Sequence, residues 1–204
     1  MTIHWIQLIV GLAFGLVPMC KLLNTECRYL IFEDLWAKVI KRDQPGQRRR
    51  RWWKLPMVWI DPFRGYVAAD YLLGAITPAP DAPGFLRIVI MGICGGLVLT
   101  TVWAQTLGRV EERETISPAG FLAGVLIASL PPAVAAAAIV MGASTAVAMR
   151  SYNAGYIVAT LTTFGIGFLF MGKSATLVIL TVVTALPMLL NWLRGSRLVT
   201  PVRC

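Results

Sequence analysis

Residues 118–149 read PAGFLAGVLIASLPPAVAAAAIVMGASTAVAM, a stretch of 32 residues without an Asp, Glu, Lys, Arg or His side chain. A helix needs about 20 apolar residues to cross the hydrocarbon of a bilayer, so this stretch is long enough for one span with residues to spare. Pro131 and Pro132 each remove a helix donor and clash with a preceding carbonyl, which predicts a helix break at this pair. Residues 118–130 are therefore either a tilted extension of one span or a re-entrant half-helix.

Four other apolar stretches are each close to the length of one span. They run over about 3–23, 87–108, 154–172 and 174–193. The chain of 204 residues is 57% hydrophobic and 14% charged, whereas an average soluble domain has about 25% charged residues. Because one aqueous core cannot absorb this apolar excess, the composition predicts an all-α integral membrane protein. It would be a single multi-pass domain over 1–204, a bundle of about five transmembrane helices.

The segment 24–86 separates the first two spans and is predicted to lie in the cytosol at the membrane interface. Residues 28–42 carry apolar side chains at helical spacing opposite charged ones, which predicts an amphipathic helix. Asp61 and Pro62 form a helix start signal, an N-cap acceptor followed by a proline in the first turn. They predict a second interfacial helix that ends at the prolines of TPAPDAPG (77–84).

Between these two predicted helices lies KRDQPGQRRRRWWKLP (41–56), the most basic stretch of the chain. Basic side chains near an anionic leaflet contribute about 1 kcal/mol each, and tryptophan favours the headgroup level. The stretch therefore predicts contact with anionic lipid headgroups through Arg48, Arg49, Arg50, Arg51, Trp52, Trp53 and Lys54. The simpler alternative is a stop-transfer and orientation signal. Nucleic acid is not an expected partner, because these groups would have to leave the membrane surface to reach a phosphate backbone.

The distribution of Lys and Arg predicts the orientation, because cytosolic loops are enriched in these residues. Five spans with the N terminus outside and the C terminus in the cytosol satisfy this rule best, with RVEERETIS (109–117) outside. Splitting 118–149 into two crossings would invert the later assignments. Short spans, tight connections and a lack of eukaryotic targeting signals favour the inner (plasma) membrane of a bacterium.

Small residues recur four positions apart in several of the spans. This spacing lets helix backbones approach closely in lipid, where no hydrophobic drive brings helices together. The glycines predicted to pack in this way are Gly11 and Gly15, Gly92 and Gly96, Gly120 and Gly124, and Gly142, which lies between Ala138 and Ala146. Spare faces of the bundle would serve a second copy of the chain or other membrane subunits.

Reactive groups are scarce in the apolar stretches. The span middles lack ionisable residues, the single histidine His4 lies on the predicted outer side, and the Cys and His spacings match no zinc site. We therefore expect no catalysis, metal or other cofactor. The leading hypothesis is a non-catalytic membrane subunit or scaffold that packs with other membrane helices and anchors its cytosolic segment to lipid or a partner. The alternatives are a channel or passive permease that uses the Pro131–Pro132 break, and an interfacial lipid-modifying enzyme that uses Asp34, Asp61, Asp70 and Arg64.

Overall fold

The computed structural model describes residues 1–17, 28–31, 56–107, 109–111, 114–195 and 197–203. Over these residues the chain is predominantly helical, with seven helices and six short strands. In chain order the elements are β1 (Thr2–Ile3), α1 (Trp5–Leu16), β2 (Arg28–Ile31), α2 (Pro56–Gly74), β3 (Ile76–Thr77), α3 (Gly84–Gln105), β4 (Arg109–Glu111), β5 (Glu114–Ile116), α4 (Ala119–Ser129), α5 (Pro132–Met149), α6 (Tyr152–Met171), α7 (Ala175–Arg194) and β6 (Arg197–Arg203).

Four of the helices are long and apolar enough, by length and composition, to cross a membrane. These are α3, α5, α6 and α7, whose most apolar windows have a mean hydropathy between 1.7 and 2.1. Their bounds lie within a few residues of those predicted for the corresponding stretches. Helices α1 and α4 are also apolar but have only 12 and 11 residues, or roughly 17 Å each at 1.5 Å per residue.

The two helices of the 118–149 stretch meet at the proline pair. Helix α4 ends at Ser129, Leu130 adopts an extended conformation (φ −114°, ψ 156°), and α5 begins with Pro132. The carbonyl of Pro131 accepts hydrogen bonds from two N–H groups in the first turn of α5, at 2.9 and 3.0 Å. Prolines fit here because the first turn of a helix needs no N–H donor for its own hydrogen bonds.

Short strands mark the two ends of the helix bundle. At one end, which we call the sheet end, four strands lie in the order β2, β6, β5, β4. Strand β5 runs parallel to β6, with Glu114 opposite Arg197, and the other two pairings are antiparallel. At the opposite end β1 pairs with β3, so that Thr2 lies across from Thr77. Strands from distant parts of the chain therefore meet at the same end.

The stretch 118–151 leaves the sheet end and returns to it. Ser117, directly after β5, shares a hydrogen bond with the hydroxyl of Tyr156 in the second turn of α6, at 2.8 Å. Close by, Asn191 near the end of α7 donates to Asn153 at the start of α6, at 3.0 Å. Helices α4 and α5 are therefore antiparallel to each other, rather than two parts of a single crossing.

Helix α2 differs from the interfacial helix that the sequence predicts from Asp61. It begins earlier, at Pro56, and Pro62 lies inside it. A proline suits the first position of a helix, and this segment offers two, of which the structure uses the first. Ala69 and Leu72 on α2 are both 0% exposed, so the helix runs through the interior of the bundle rather than along a surface.

The predicted path of the chain is wrong for residues 109–117. The charge rule places RVEERETIS on the side away from the C-terminal residues, whereas β4 and β5 share a sheet with β6. The physical reason is that α2 crosses from the sheet end to the opposite end, so α3 runs in the direction opposite to the predicted one. Helix α4 then adds a second segment that the predicted path does not contain. With both of these segments counted, Arg150 lies at the sheet end and Lys173 at the opposite end.

The amphipathic helix predicted over 28–42 is wrong at its start. Residues Arg28–Ile31 form strand β2, in which Arg28 lies opposite Arg203 and Ile31 opposite Val199. Pairing with β6 gives these residues hydrogen-bond partners that the helical pattern does not reveal. Residues 32–42 of that helix lie outside the described residues. The fold is thus a helical bundle with a small sheet, rather than purely α.

The core of the bundle lies where α2, α3, α4, α5 and α7 meet. Its largest side chains are at most 2% exposed and are mostly aliphatic: Leu72, Val98, Val102, Phe121, Val125, Val134 and Val183. One exception to this apolar interior is a small group of charged and amide side chains near the sheet end.

Candidate functional site

A buried ion pair lies on helix α2 inside the bundle. Asp61 Oδ1 and Arg64 Nη1 are 3.4 Å apart, one helical turn from each other. The side chain of Asp61 is 15% exposed and that of Arg64 is 5% exposed. Charges removed from water are tolerated only where other groups satisfy them, so the contacts of this pair indicate its role.

Arg64 holds the C-terminal end of α1. Its Nη2 donates to the carbonyl oxygens of Phe14, at 3.1 Å, and of Val17. Gln105 at the end of α3 donates through Nε2 to the carbonyls of Gly15 and Val17. The last carbonyls of a helix have no partner within it, and their partial negative charge favours a cation. The two side chains therefore cap α1 in a place that solvent does not reach.

Asp61 holds the N-terminal end of α4. Its Oδ2 accepts a hydrogen bond from the backbone N–H of Phe121, at 2.8 Å. This N–H belongs to the first turn of α4, where helix donors lack internal partners and the helix dipole favours an anion. The guanidinium of Arg64 also lies 5.9 Å from the centre of the Phe121 ring. One ion pair thus joins the end of α1 to the start of α4, with each charge at the helix end of opposite polarity.

This polar centre is not predicted from the sequence, which assigns Asp61 to the cap of its own helix. The available signal is the three-residue spacing of Asp61 and Arg64, which puts both charges on one helix face. That spacing does not say that the face is buried. Asp70, which the lipid-enzyme alternative groups with them, is exposed and lies nine residues further along α2, about 13 Å away. Asp34 lies outside the described residues.

Five of the seven glycines predicted to pack closely lie where a Cβ atom would collide with a neighbouring helix. Gly11 meets Leu72, Gly15 meets Thr101, Gly120 meets Asp61, Gly124 meets the carbonyl of Pro62, and Gly142 meets Ala159. Gly65, which the spacing argument omits, meets the carbonyl of Phe121. Close contact between α2 and α4 therefore depends on glycines from both helices.

Gly92 and Gly96 are different: they contact no other helix among the described residues, so their packing stays a prediction. A Cβ added at either position would meet no atom within 4 Å. A Cβ added at Gly95 instead would lie 2.5 Å from a side-chain atom of Ile179, so Gly95 is the residue at which α3 approaches α7 closely. Four-residue spacing finds a flat helix face, but the position of the neighbouring helix decides which glycine is covered.

The open side of α3 forms a strip, which we call the glycine face, in which Gly96 is half-buried and the other members are exposed. Its members follow helical spacing on one side of the helix: Phe85, Ile88, Gly92, Gly96, Thr100 and Trp103. Phe85 is 77% exposed and Trp103 is 46% exposed, so aromatic rings stand at both ends of the strip. The centre between them is flat because glycine has no side chain.

A cavity of about 260 Å³ lies between α4, α5 and α6. Its walls are almost entirely alanine, glycine and aliphatic side chains: Ala119, Leu122, Ala123, Leu126, Ala138, Ile139, Gly142, Ala143, Ala146, Val147, Tyr152, Gly155, Tyr156 and Ala159. The hydroxyl of Tyr156 is already bonded to Ser117. Ala143 and Val147 are exposed on the outer side of α5, so the cavity opens laterally.

The residues predicted to contact headgroups, Arg48–Lys54, lie outside the described residues. Within the described part of the chain, no group of three or more His, Cys, Asp or Glu side chains is placed to hold a metal ion. No protein-family model, curated protein or solved structure matches this chain in comparisons with known proteins.

Proposed function

We propose that the protein is a non-catalytic integral membrane subunit or scaffold. Its helix bundle packs against other membrane helices, and its basic segment 41–56 anchors to anionic lipid or to a partner at the cytosolic surface. The observation that carries this proposal is the exposed glycine face of α3. Two further features support the membrane setting.

The first is the outer surface of the bundle, which carries many large apolar side chains. Leu161 and Leu169 on α6 are 64% and 81% exposed, and Trp192 and Leu193 on α7 are 79% and 73% exposed. Soluble monomers rarely expose extended apolar patches, whereas hydrocarbon solvates such a surface without penalty. This surface supports a lipid environment for the four long helices.

The second feature is the distribution of Lys and Arg, which is very uneven between the two ends of the bundle. Among the described residues, Arg87 and Lys173 belong to the opposite end, and Arg64 is buried. Six others belong to the sheet end: Arg28, Arg109, Arg150, Arg194, Arg197 and Arg203. In the sequence, the basic stretch 41–56 follows strand β2 and leads into α2. Because cytosolic loops are enriched in basic residues, we place the sheet end in the cytosol and β1 outside, in a bacterial inner membrane.

The glycine face has the dimensions of a site for another membrane helix. Phe85 and Trp103 are 18 residues apart, about 27 Å along the helix axis, and a bilayer core is about 30 Å thick. Glycines four residues apart let a second backbone approach closely, and association in lipid depends on such packing. A helix of a second copy, or of another subunit, is the occupant that this geometry supports.

A channel at the Pro131–Pro132 break receives less support from the structure. Leu130 N–H donates to the Leu126 carbonyl at 3.0 Å, and the Pro131 carbonyl accepts from α5, so these two backbone groups at the break are paired within the chain. The neighbouring cavity is apolar. Selective ion paths are lined by carbonyls or charged side chains, which these walls lack.

The test compares oligomeric size in mild detergent for three forms of the full-length chain. Wild type and Gly165→Leu are expected to elute as a complex, because Gly165 is an exposed glycine of α6 with no atom within 4 Å of an added Cβ. The Gly92→Leu/Gly96→Leu variant is expected to elute as one 22.3 kDa chain in its micelle, with an unchanged circular dichroism spectrum. A wild-type chain that is monomeric and free of bound partners would refute the proposal.

A further inference from the structure

The walls of the α4–α5–α6 cavity are held in place by tight helix packing. A Cβ on Gly155 of α6 would lie 2.7 Å from Ala146 on α5, and one on Gly142 would lie 2.8 Å from Ala159 on α6. Helices α5 and α6 therefore cannot move closer together at this level to fill the space. On the other side, α4 is held against α2 by Asp61 and by Gly124. The cavity is a feature of the rigid bundle, and it opens toward the surroundings of α5.

The residue that ends α5 has an unusual backbone conformation. Arg150 has φ 53° and ψ 34°, in the left-handed region, and it is the only non-glycine residue with positive φ among those the structure describes. Helices α6 and α7 end on glycines with positive φ, Gly172 and Gly195. Glycine is usual at such a place because a Cβ atom makes this conformation unfavourable by about 1–2 kcal/mol. A strained conformation retained at one helix end points to a role for the guanidinium there.

Arg150 lies in the turn between two residues that line the cavity. It is exposed, it follows Val147 by three residues, and it precedes Tyr152 by two, and both of these residues line the cavity. This is also the sheet end, where most of the basic residues belong. A guanidinium recognises a phosphate with two parallel hydrogen bonds, and an apolar lateral opening in a membrane faces lipid acyl chains. An anionic phospholipid has both of these groups in one molecule.

We propose, on the basis of the membrane location argued above, that the cavity holds an acyl chain of one anionic phospholipid and that Arg150 binds its phosphate. The lipid fills space that the small residues of α4, α5 and α6 leave open. It would stabilise the contact between the α4–α5 pair and α6 from the cytosolic leaflet.

Native mass spectrometry of the purified full-length chain, with equal amounts of phosphatidylglycerol and phosphatidylcholine in the micelle, tests this proposal. Wild type is expected to retain one phosphatidylglycerol. Ala143→Phe fills the opening from the exposed side of α5 and is expected to lose that lipid. Ala136→Phe is the matched control, because Ala136 is also exposed on α5 but does not line the cavity; this variant is expected to retain the lipid.

Arg150→Gly provides a second test that does not depend on filling the cavity. Its preference for phosphatidylglycerol over phosphatidylcholine is expected to fall about fivefold, which corresponds to about 1 kcal/mol for one basic contact. Its thermal unfolding midpoint without added lipid is expected to stay the same or rise, because glycine relieves the backbone strain.

Two outcomes would overturn the proposal. One is equal lipid retention by Ala143→Phe and Ala136→Phe together with an unchanged lipid preference in Arg150→Gly. The other is a change in oligomeric size in Ala143→Phe without loss of lipid, which would mean that a partner's side chains occupy the cavity. The Gly92→Leu/Gly96→Leu variant alters a different helix and is expected to keep its lipid, so failure of the subunit proposal is distinguishable from failure of this one.

Discussion

Arg64→Met is expected to destabilise the protein by about 3–5 kcal/mol, because it leaves the Asp61 carboxylate buried without its partner. The size of this loss alone does not reveal what the pair does. In many proteins, replacing both members of a buried pair by apolar residues is neutral or even stabilising. The double variant Asp61→Leu/Arg64→Met is therefore the informative one.

Here the double variant is expected to remain about 2 kcal/mol less stable than wild type. Asp61 supplies an acceptor to the first turn of α4, whose own N-cap residue, Pro118, makes no side-chain cap. Arg64 supplies donors to the carbonyls of Phe14 and Val17. Each lost cap is worth about 1 kcal/mol, and apolar side chains replace neither of them.

Denaturant unfolding in mixed micelles, followed by near-ultraviolet circular dichroism, measures both losses in a double-mutant cycle. The expected order of stability is wild type, then the double variant, then Arg64→Met. Arg87→Met is the control: Arg87 is exposed and bonds to the Pro80 carbonyl at 2.9 Å, and its loss should cost less than about 0.5 kcal/mol. A double variant as stable as wild type would show that the two charges only compensate each other and that neither side chain stabilises a helix end.

Three further predictions follow from the packing and the path of the chain. Gly124→Ala should destabilise the protein by about 1–3 kcal/mol, because its Cβ would collide with the Pro62 carbonyl. The control Gly165→Ala, where the added Cβ meets open space, should be neutral or stabilise by up to about 1 kcal/mol. Equal effects of the two variants in thermal unfolding would contradict the close α2–α4 contact. Tyr156→Phe should lower the free energy of unfolding by about 1–2 kcal/mol in the same assay, because it leaves the Ser117 hydroxyl buried without this partner. A variant as stable as wild type would argue against that hydrogen bond. In a cysteine-free background, Cys introduced at Asp81 or Lys173 should react with a membrane-impermeant maleimide in intact cells, whereas Cys introduced at Leu107 should not react. The reverse labelling pattern would show that the proposed orientation is inverted.

Helix positions can be predicted from this sequence where apolar runs are long and uncharged, because hydrocarbon length and helix rise restrict the solution. Helices α3, α5, α6 and α7 follow that rule. Helix α2 does not, because Asp61, Arg64 and Asp70 make it resemble an interfacial helix. Only the structure shows that two of these charges are compensated by the ends of α1 and α4, and that compensation is a long-range property which local spacing does not contain.

The candidate surfaces show the same limit. Four-residue spacing of small residues finds helix faces that can pack, but it selects Gly92 and Gly96 on α3 together with glycines that are covered. Gly95, one position away, is the residue that contacts α7. The cavity lies beyond sequence reasoning altogether, because it arises from the separation of α4, α5 and α6 rather than from any one of them.

The structure differs from the predicted path of the chain at two helices. Helices α2 and α4 are each an additional segment that the five-span prediction does not contain. Helix α3 therefore runs opposite to its predicted direction, whereas α5, α6 and α7 run in their predicted directions relative to one another. The charge rule depends on connections, and the connection 109–117 has nearly balanced charges, so it exerts little preference for either side.

The capping of α1 and α4 by side chains and the open face of α3 have the same structural cause. Helices α1 and α4 are too short to carry both their ends to the bundle surfaces, so their terminal carbonyls and N–H groups need partners inside the protein. The Asp61–Arg64 pair and Gln105 supply those partners and tie α1, α2, α3 and α4 together on one side of α3. Because those helices and α7 pack there, the Gly92–Gly96 side of α3 faces no other helix of the described chain.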